Sequence, residues 1–144
     1  MTPYGKVYEA FLARILEDEW DNWLIEEAEQ DWRLILEAAL PWFKFPRVSL
    51  ERNDEGFSET LGAEEIQIIA NYMKVEWLNR CILTWENIKP LYNEKDFSQA
   101  NLLDKLQKTL EGERENAKEL ESIYYRSRKG RPFSFSSLAT KIGD

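Results

Sequence analysis

The sequence has no histidine, a single cysteine and only six glycines, which are scattered along 144 residues. Each shortage excludes something. Without histidine the commonest general base and the commonest metal ligand are missing. A nucleophilic serine or cysteine would have to lean on a lysine or a carboxylate, and no local signature marks one. One cysteine excludes an intrachain disulfide, and with no histidine beside it a cysteine-based zinc centre is excluded too. The glycines form neither GxxxxGK nor GxGxxG, so no phosphate-cradling loop is encoded. No stretch approaches 18 uninterrupted apolar residues, the length of a membrane span. The first residues lack a basic run followed by an apolar core, so no signal peptide is expected and the chain should stay in the cytoplasm of the cell that makes it. No catalytic residue, metal site or cofactor is expected, and the reading is that of a protein that is not an enzyme.

Aromatic residues, by contrast, are plentiful: six Trp, six Tyr and seven Phe, within a 43% hydrophobic total. This length and composition predict one globular domain with a real core. The aromatic excess favours an oligomer or a standing interface. Charge is divided unevenly. The chain carries −8 overall, yet Arg126, Arg128, Lys129, Arg131 and Lys141 stand against only Asp144 in the last 19 residues. That end is therefore +4 and the preceding 125 residues are −12. An acidic body offers DNA phosphates no counter-charge and should not bind them tightly.

The organising stretch is Ala63 to Asn87. Ile66, Ile69, Ala70, Met73, Trp77, Cys81, Trp85 and Ile88 recur at steps of three and four, the helical period. Tyr72, Leu78 and Ile82 widen that stripe, which predicts a central helix packed on more than one side. Cys81 reads as a small core hydrophobe, with a reactive thiol as the alternative.

Around this helix the chain predicts three more. Thr2 and Pro3 are suited to capping and starting a first helix, whose buried face is Val7, Tyr8, Phe11, Leu12, Ile15 and Leu16. Glu17 to Asp21 is an acidic break, with Trp20 and Trp23 expected to staple the turn to the core. A second helix runs from Trp23 or Leu24 to Leu40, carries Trp32 inward and stops at Pro41. Trp42 to Pro46 should be extended. Arg47–Glu51 and Gly56–Thr60 alternate about a turn-rich Asn53-Asp54-Glu55-Gly56, so a short hairpin or ordered loop is expected over 47–61. Ser98 should cap a last helix with Leu102, Leu103, Leu106, Leu110, Ala117, Leu120, Ile123 and Tyr124 at helical spacing. Gly112 weakens it by about 1 kcal/mol and is a candidate bend. The expected fold is mainly α: a four-helix bundle-like domain over 1–127, followed by an extended basic arm over 128–144. Phe11, Trp32, Ile69, Met73, Trp77, Cys81, Leu106 and Leu110 are the expected core.

Two clusters have chemistry to weigh. Asp18, Glu19, Asp21, Glu26 and Glu27 could hold a divalent ion, but they match no calcium loop and read more simply as solvated helix surface. The arm could be a loose basic end. Phe133 and Phe135, two residues apart, argue instead for a segment that docks, with alternate side chains entering pockets on a partner. Arg126, Arg128, Lys129, Arg131, Phe133, Phe135 and Leu138 are the candidate partner-binding residues.

A resemblance sharpens this. Thr2 with Val7-Tyr8-x-x-Phe11-Leu12-x-x-Ile15, then Ala38 with Pro41-x-Phe43-x-Phe45-Pro46-Arg47, then Leu61-x-Ala63-Glu64-Glu65-Ile66, Met73 with Trp77-Leu78, and Ser98-Gln99-Ala100-Asn101 occur in that order. Together they resemble the small head–tail connector proteins of tailed bacteriophages, also called adaptor, neck or head-completion proteins. Gly62 stands where that pattern has a threonine-like cap. The resemblance covers about residues 2 to 125 and rests on packing and turn motifs. It implies a structural virion protein at the neck, made in the host cytoplasm. It implies a ring, commonly of twelve copies, seated on the portal protein. Such a ring extends the DNA channel without binding DNA specifically and offers a platform to a downstream tail or stopper protein. It also implies that the C-terminal segment reaches out to grip the portal, which here would be Arg126 to Arg131 with Phe133 and Phe135. The alternative from a different class is an acidic helical module that mimics DNA and sequesters a basic protein. A third is a carboxylate enzyme with a divalent ion.

Overall fold

A computed structural model describes residues 1–15, 19–88 and 97–126. The described chain is mainly helical, with a very small sheet. In order it runs β1 (Thr2–Pro3), α1 (Tyr4–Leu12), α2 (Ile25–Ala39), a 3-10 turn (Leu40–Trp42), β2 (Gly56–Phe57), α3 (Ala63–Ile88) and α4 (Phe97–Arg126).

Helix α3 is the axis of the bundle. Its 26 residues make a rod of about 39 Å. It packs on α1, on α2 and on α4. Between Ile68 and Leu78 it is buried nearly all round, including Ile68 and Val75, which lie outside the expected stripe. Being enclosed from three sides removes the need for a polar face there. The buried polar Asn71 is accommodated because its Oδ1 accepts a 3.0 Å hydrogen bond from Arg14 Nε. Of the expected core, Phe11, Ile69, Met73, Trp77 and Leu110 are buried. Trp32, Cys81 and Leu106 are half-buried and pack against that core. Gly62 lies just before α3, and its carbonyl accepts the Ile66 amide at 3.1 Å as the first bond of the helix, with no side chain to cap the amides before it.

The N-terminus departs from expectation. Thr2 does not cap α1. It lies in β1, fully buried, donating to the Glu59 carbonyl and accepting from the Leu61 amide. Pro3, extended at φ −68 and ψ 148, occupies the cap position with no side-chain bond. β1 pairs antiparallel with β2, Thr2 opposite Phe57 and Pro3 opposite Gly56. Gly56 is required there: a Cβ would lie 2.2 Å from the Thr2 carbonyl oxygen.

The expected turn at Asn53–Gly56 forms, with Asn53 Oδ1 accepting the amides of Glu55 and Gly56. The expected hairpin is short, and 47–51 forms no strand of its own. Arg52 bridges Phe57 and Ser58 N bonds the Glu51 carbonyl, but no longer ladder develops. The preceding amides have other partners. Lys44, Phe45 and Arg47 donate to Glu121, Tyr125 and Tyr124 of α4. A backbone whose donors are satisfied by a helix has none left for a strand.

Two smaller corrections follow from packing. Trp20 is buried, whereas Trp23 is exposed, so only Trp20 staples the α1–α2 connection. Helix α4 begins at Phe97, which makes Ser98 its second residue and not its cap. It is continuous past Gly112.

Candidate interaction surfaces

The exposed segment after α2 is held by one end of α4. Pro41 turns the chain out of α2, and Phe43 carries it into an extended run. Phe43 is buried against Tyr124, its ring edge-on at 5.4 Å. The Arg47 guanidinium stacks 4.2 Å over the ring of the same residue, in cation–π range. Glu121 then works as a hub. Its Oε2 accepts the Tyr72 hydroxyl at 2.9 Å, and its Oε1 accepts the Tyr125 hydroxyl at 2.6 Å and the Lys44 amide at 3.3 Å. Burial, reinforced by the Glu121 carboxylate, pushes the Tyr125 phenol up to about 12. The same two causes raise Tyr72. Both therefore stay protonated donors at neutral pH.

The result is a braced aromatic surface. Phe45 is 71% exposed, yet its ring lies 6.0 Å from Tyr125 and its amide bonds the Tyr125 hydroxyl. Trp42, also exposed, stacks on Tyr72 and donates its indole N–H to Glu76 at 2.7 Å. The side chains are thus ordered before any partner arrives, which lowers the entropic cost of binding. Arg126, an expected partner-binding residue, is exposed at the end of α4 beside this surface. Arg128, Lys129, Arg131, Phe133, Phe135 and Leu138 lie outside the described residues.

A second apolar surface lies at the other end of α2. Leu24 and Ile25 are 67% and 62% exposed, and Trp23 is exposed beside them. They flank a hollow of about 380 Å³ lined by Leu12, Trp20, Trp23, Ile25 and Trp32. Trp20, one of its walls, is held by a charged network. Trp20 donates its indole N–H to Asp31 at 2.8 Å, and Arg80 grips the same carboxylate with two bonds at 2.7 and 3.0 Å. Burial alone would raise the Asp31 carboxyl, but the Arg80 and Trp20 hydrogen bonds hold it below its ordinary range. Trp77 donates to Glu19 at 2.9 Å, and Glu19 lies 3.5 Å from Arg80. Glu19 is thereby committed to the fold, while Asp21, Glu26 and Glu27 are exposed. Among the described residues, no group of three or more carboxylates or thiols is gathered in a way that could hold a metal ion. Among them, too, no helix is long and apolar enough to cross a membrane.

Sequence reasoning missed both surfaces as sites. It treated Trp23 as a staple and Phe45 as a residue of an extended link. The one available signal was the excess of aromatics over what a domain of this size can bury. No family model, no curated protein and no solved structure matches the chain.

Proposed function

We propose that this chain is a head–tail connector subunit of a tailed bacteriophage, one copy in a ring that sits on the portal, extends the DNA channel and receives the tail. The order of packing motifs along the sequence supports the reading, as does the mainly helical fold. The observation that carries it is the braced aromatic surface around Phe45. It is built by the Pro41-x-Phe43-x-Phe45-Pro46-Arg47 segment on the helix end from which the basic C-terminal residues continue. A pre-ordered aromatic face on a chain whose sequence goes on into a cationic segment suits a subunit that works by permanent contact with other proteins. The acidic character of the first 125 residues, repeated around a ring, would favour DNA sliding past over DNA sticking.

Deletion of residues 129–144 tests it. The anchoring residues Glu121, Tyr124 and Tyr125 remain in that truncation, so it should fold with wild-type helicity. It should be missing from the neck of portal-containing particles imaged by cryo-electron microscopy. Full occupancy of the truncation would overturn the role of the arm, and absence of the intact protein from particles would overturn the connector reading. In that last case, capture of the chain by a basic DNA-binding protein would favour the DNA-mimic alternative.

A further inference from the structure

The two apolar surfaces stand at opposite ends of α2, a helix of 15 residues and so about 22 Å long. They differ in shape. One is a projecting ring, Phe45, braced by Tyr125; the other is a concave hollow walled by tryptophans, with Trp20 and Trp32 at 5.9 Å and 73° to each other. They also differ in charge. Lys44, Arg47 and Arg126 are exposed around Phe45, interspersed with the carboxylates of Glu65, Glu76 and Glu121, and Lys44 presents a cation directly beside the Phe45 ring. Asp21, Glu26 and Glu27 are exposed around the hollow.

We propose that Phe45 of one copy enters the Trp20–Trp23–Trp32 hollow of the next, with Lys44 meeting Asp21 or the first turn of α2. The occupant is a second copy of this chain because shape and charge are complementary between two faces of the same molecule. Such a contact is heterologous: each subunit uses a projection on one side and a socket on the other, and repetition closes a ring or extends a filament. It rests on the connector reading in that it names the contact between neighbouring copies. The apolar ring supplies the affinity and the charges supply the register.

The test uses the intact chain at millimolar concentration, followed by sedimentation velocity. A photo-reactive phenylalanine analogue placed at position 45 should cross-link between copies to the 20–32 segment. Phe45→Ala and Trp23→Ala should each weaken self-association at least tenfold, as expected of a central aromatic anchor. Both positions are exposed, so folding should survive. Mixing the two variants should restore one contact per pair and yield a 1:1 dimer with nothing larger. Intermolecular cross-links that map elsewhere, or undiminished assembly of both variants, would overturn the contact and leave the ring standing. A chain that stays monomeric without intermolecular cross-links also overturns this contact, whereas the connector reading is decided separately by occupancy in particles. Charge reversal gives a second check: Lys44→Glu should weaken assembly, and Asp21→Lys on the neighbour should recover part of it.

Discussion

The hydroxyl of Tyr124 accepts the backbone amide of Arg47 at 2.7 Å, and the Arg47 guanidinium lies 4.2 Å above the same ring while also bonding the Tyr124 carbonyl. One residue pair therefore joins the α2–α3 connection to the last turns of α4 across 77 positions of sequence. Tyr124→Phe keeps the ring and removes the acceptor. It should cost about 1 kcal/mol, the net worth of one hydrogen bond. Tyr124→Ala also removes the ring from against Phe43 and should cost about 3 kcal/mol or more. Urea unfolding followed by tryptophan fluorescence separates the two. Equal losses would show that the ring contributes nothing beyond the hydroxyl, and an unchanged Tyr124→Phe would show that the hydroxyl does nothing.

Two glycines make opposite demands. A Cβ on Gly56 would collide with the backbone of Thr2 and Pro3. Gly56→Ala should force β1 away from β2 and cost about 1–3 kcal/mol, the usual range for overpacking. Gly112 has open space around it and lies within α4. Gly112→Ala should stabilise the protein by up to about 1 kcal/mol by removing glycine's helix penalty. Thermal melts of the two variants should move in opposite directions. A neutral Gly56→Ala would mean that the β1–β2 approach is not tight in solution.

The Glu37 carboxylate receives Arg52 through both of its oxygens, and Arg33 Nε at 2.9 Å. The Arg52 hydrogen bonds, helped by Arg33 and opposed by burial, lower its pKa from 4.5 to about 2. A carboxyl depressed on folding contributes stability above its unfolded pKa and loses it as pH falls through the folded one. The contribution of Glu37 is thus whole near neutrality and disappears between about pH 4.5 and pH 2. The pair is roughly one-third exposed, so solvent screening limits it to about 1 kcal/mol. Glu37→Gln should be less stable than wild type by about that amount at pH 7, and the difference should close below pH 3. A difference that persists undiminished at low pH would assign the loss to packing instead of charge.

The helices were legible because each writes its burial locally. The three- and four-residue steps from Ile66 to Ile88 put apolar residues on one side of a rod whatever covers it, and Pro41 ends α2 by its ring geometry alone. The turn at Asn53–Gly56 is equally local, since the Asn53 side chain bonds amides two and three residues ahead. These features are the part that amino-acid order determined unaided. Tertiary structure decided the rest, wherever a group had to choose among distant partners. Thr2 could cap α1 or satisfy Glu59 and Leu61, and packing chose the second. The amides of Lys44, Phe45 and Arg47 could have stayed in water, and the Glu121, Tyr125 and Tyr124 side chains claimed them. Trp20 and Trp23 are the same residue type three positions apart, yet Trp20 is buried on Asp31, Phe11 and Trp32 while Trp23 stays at the surface. Such choices depend on which donors and acceptors meet in space, and one-dimensional spacing does not encode that meeting.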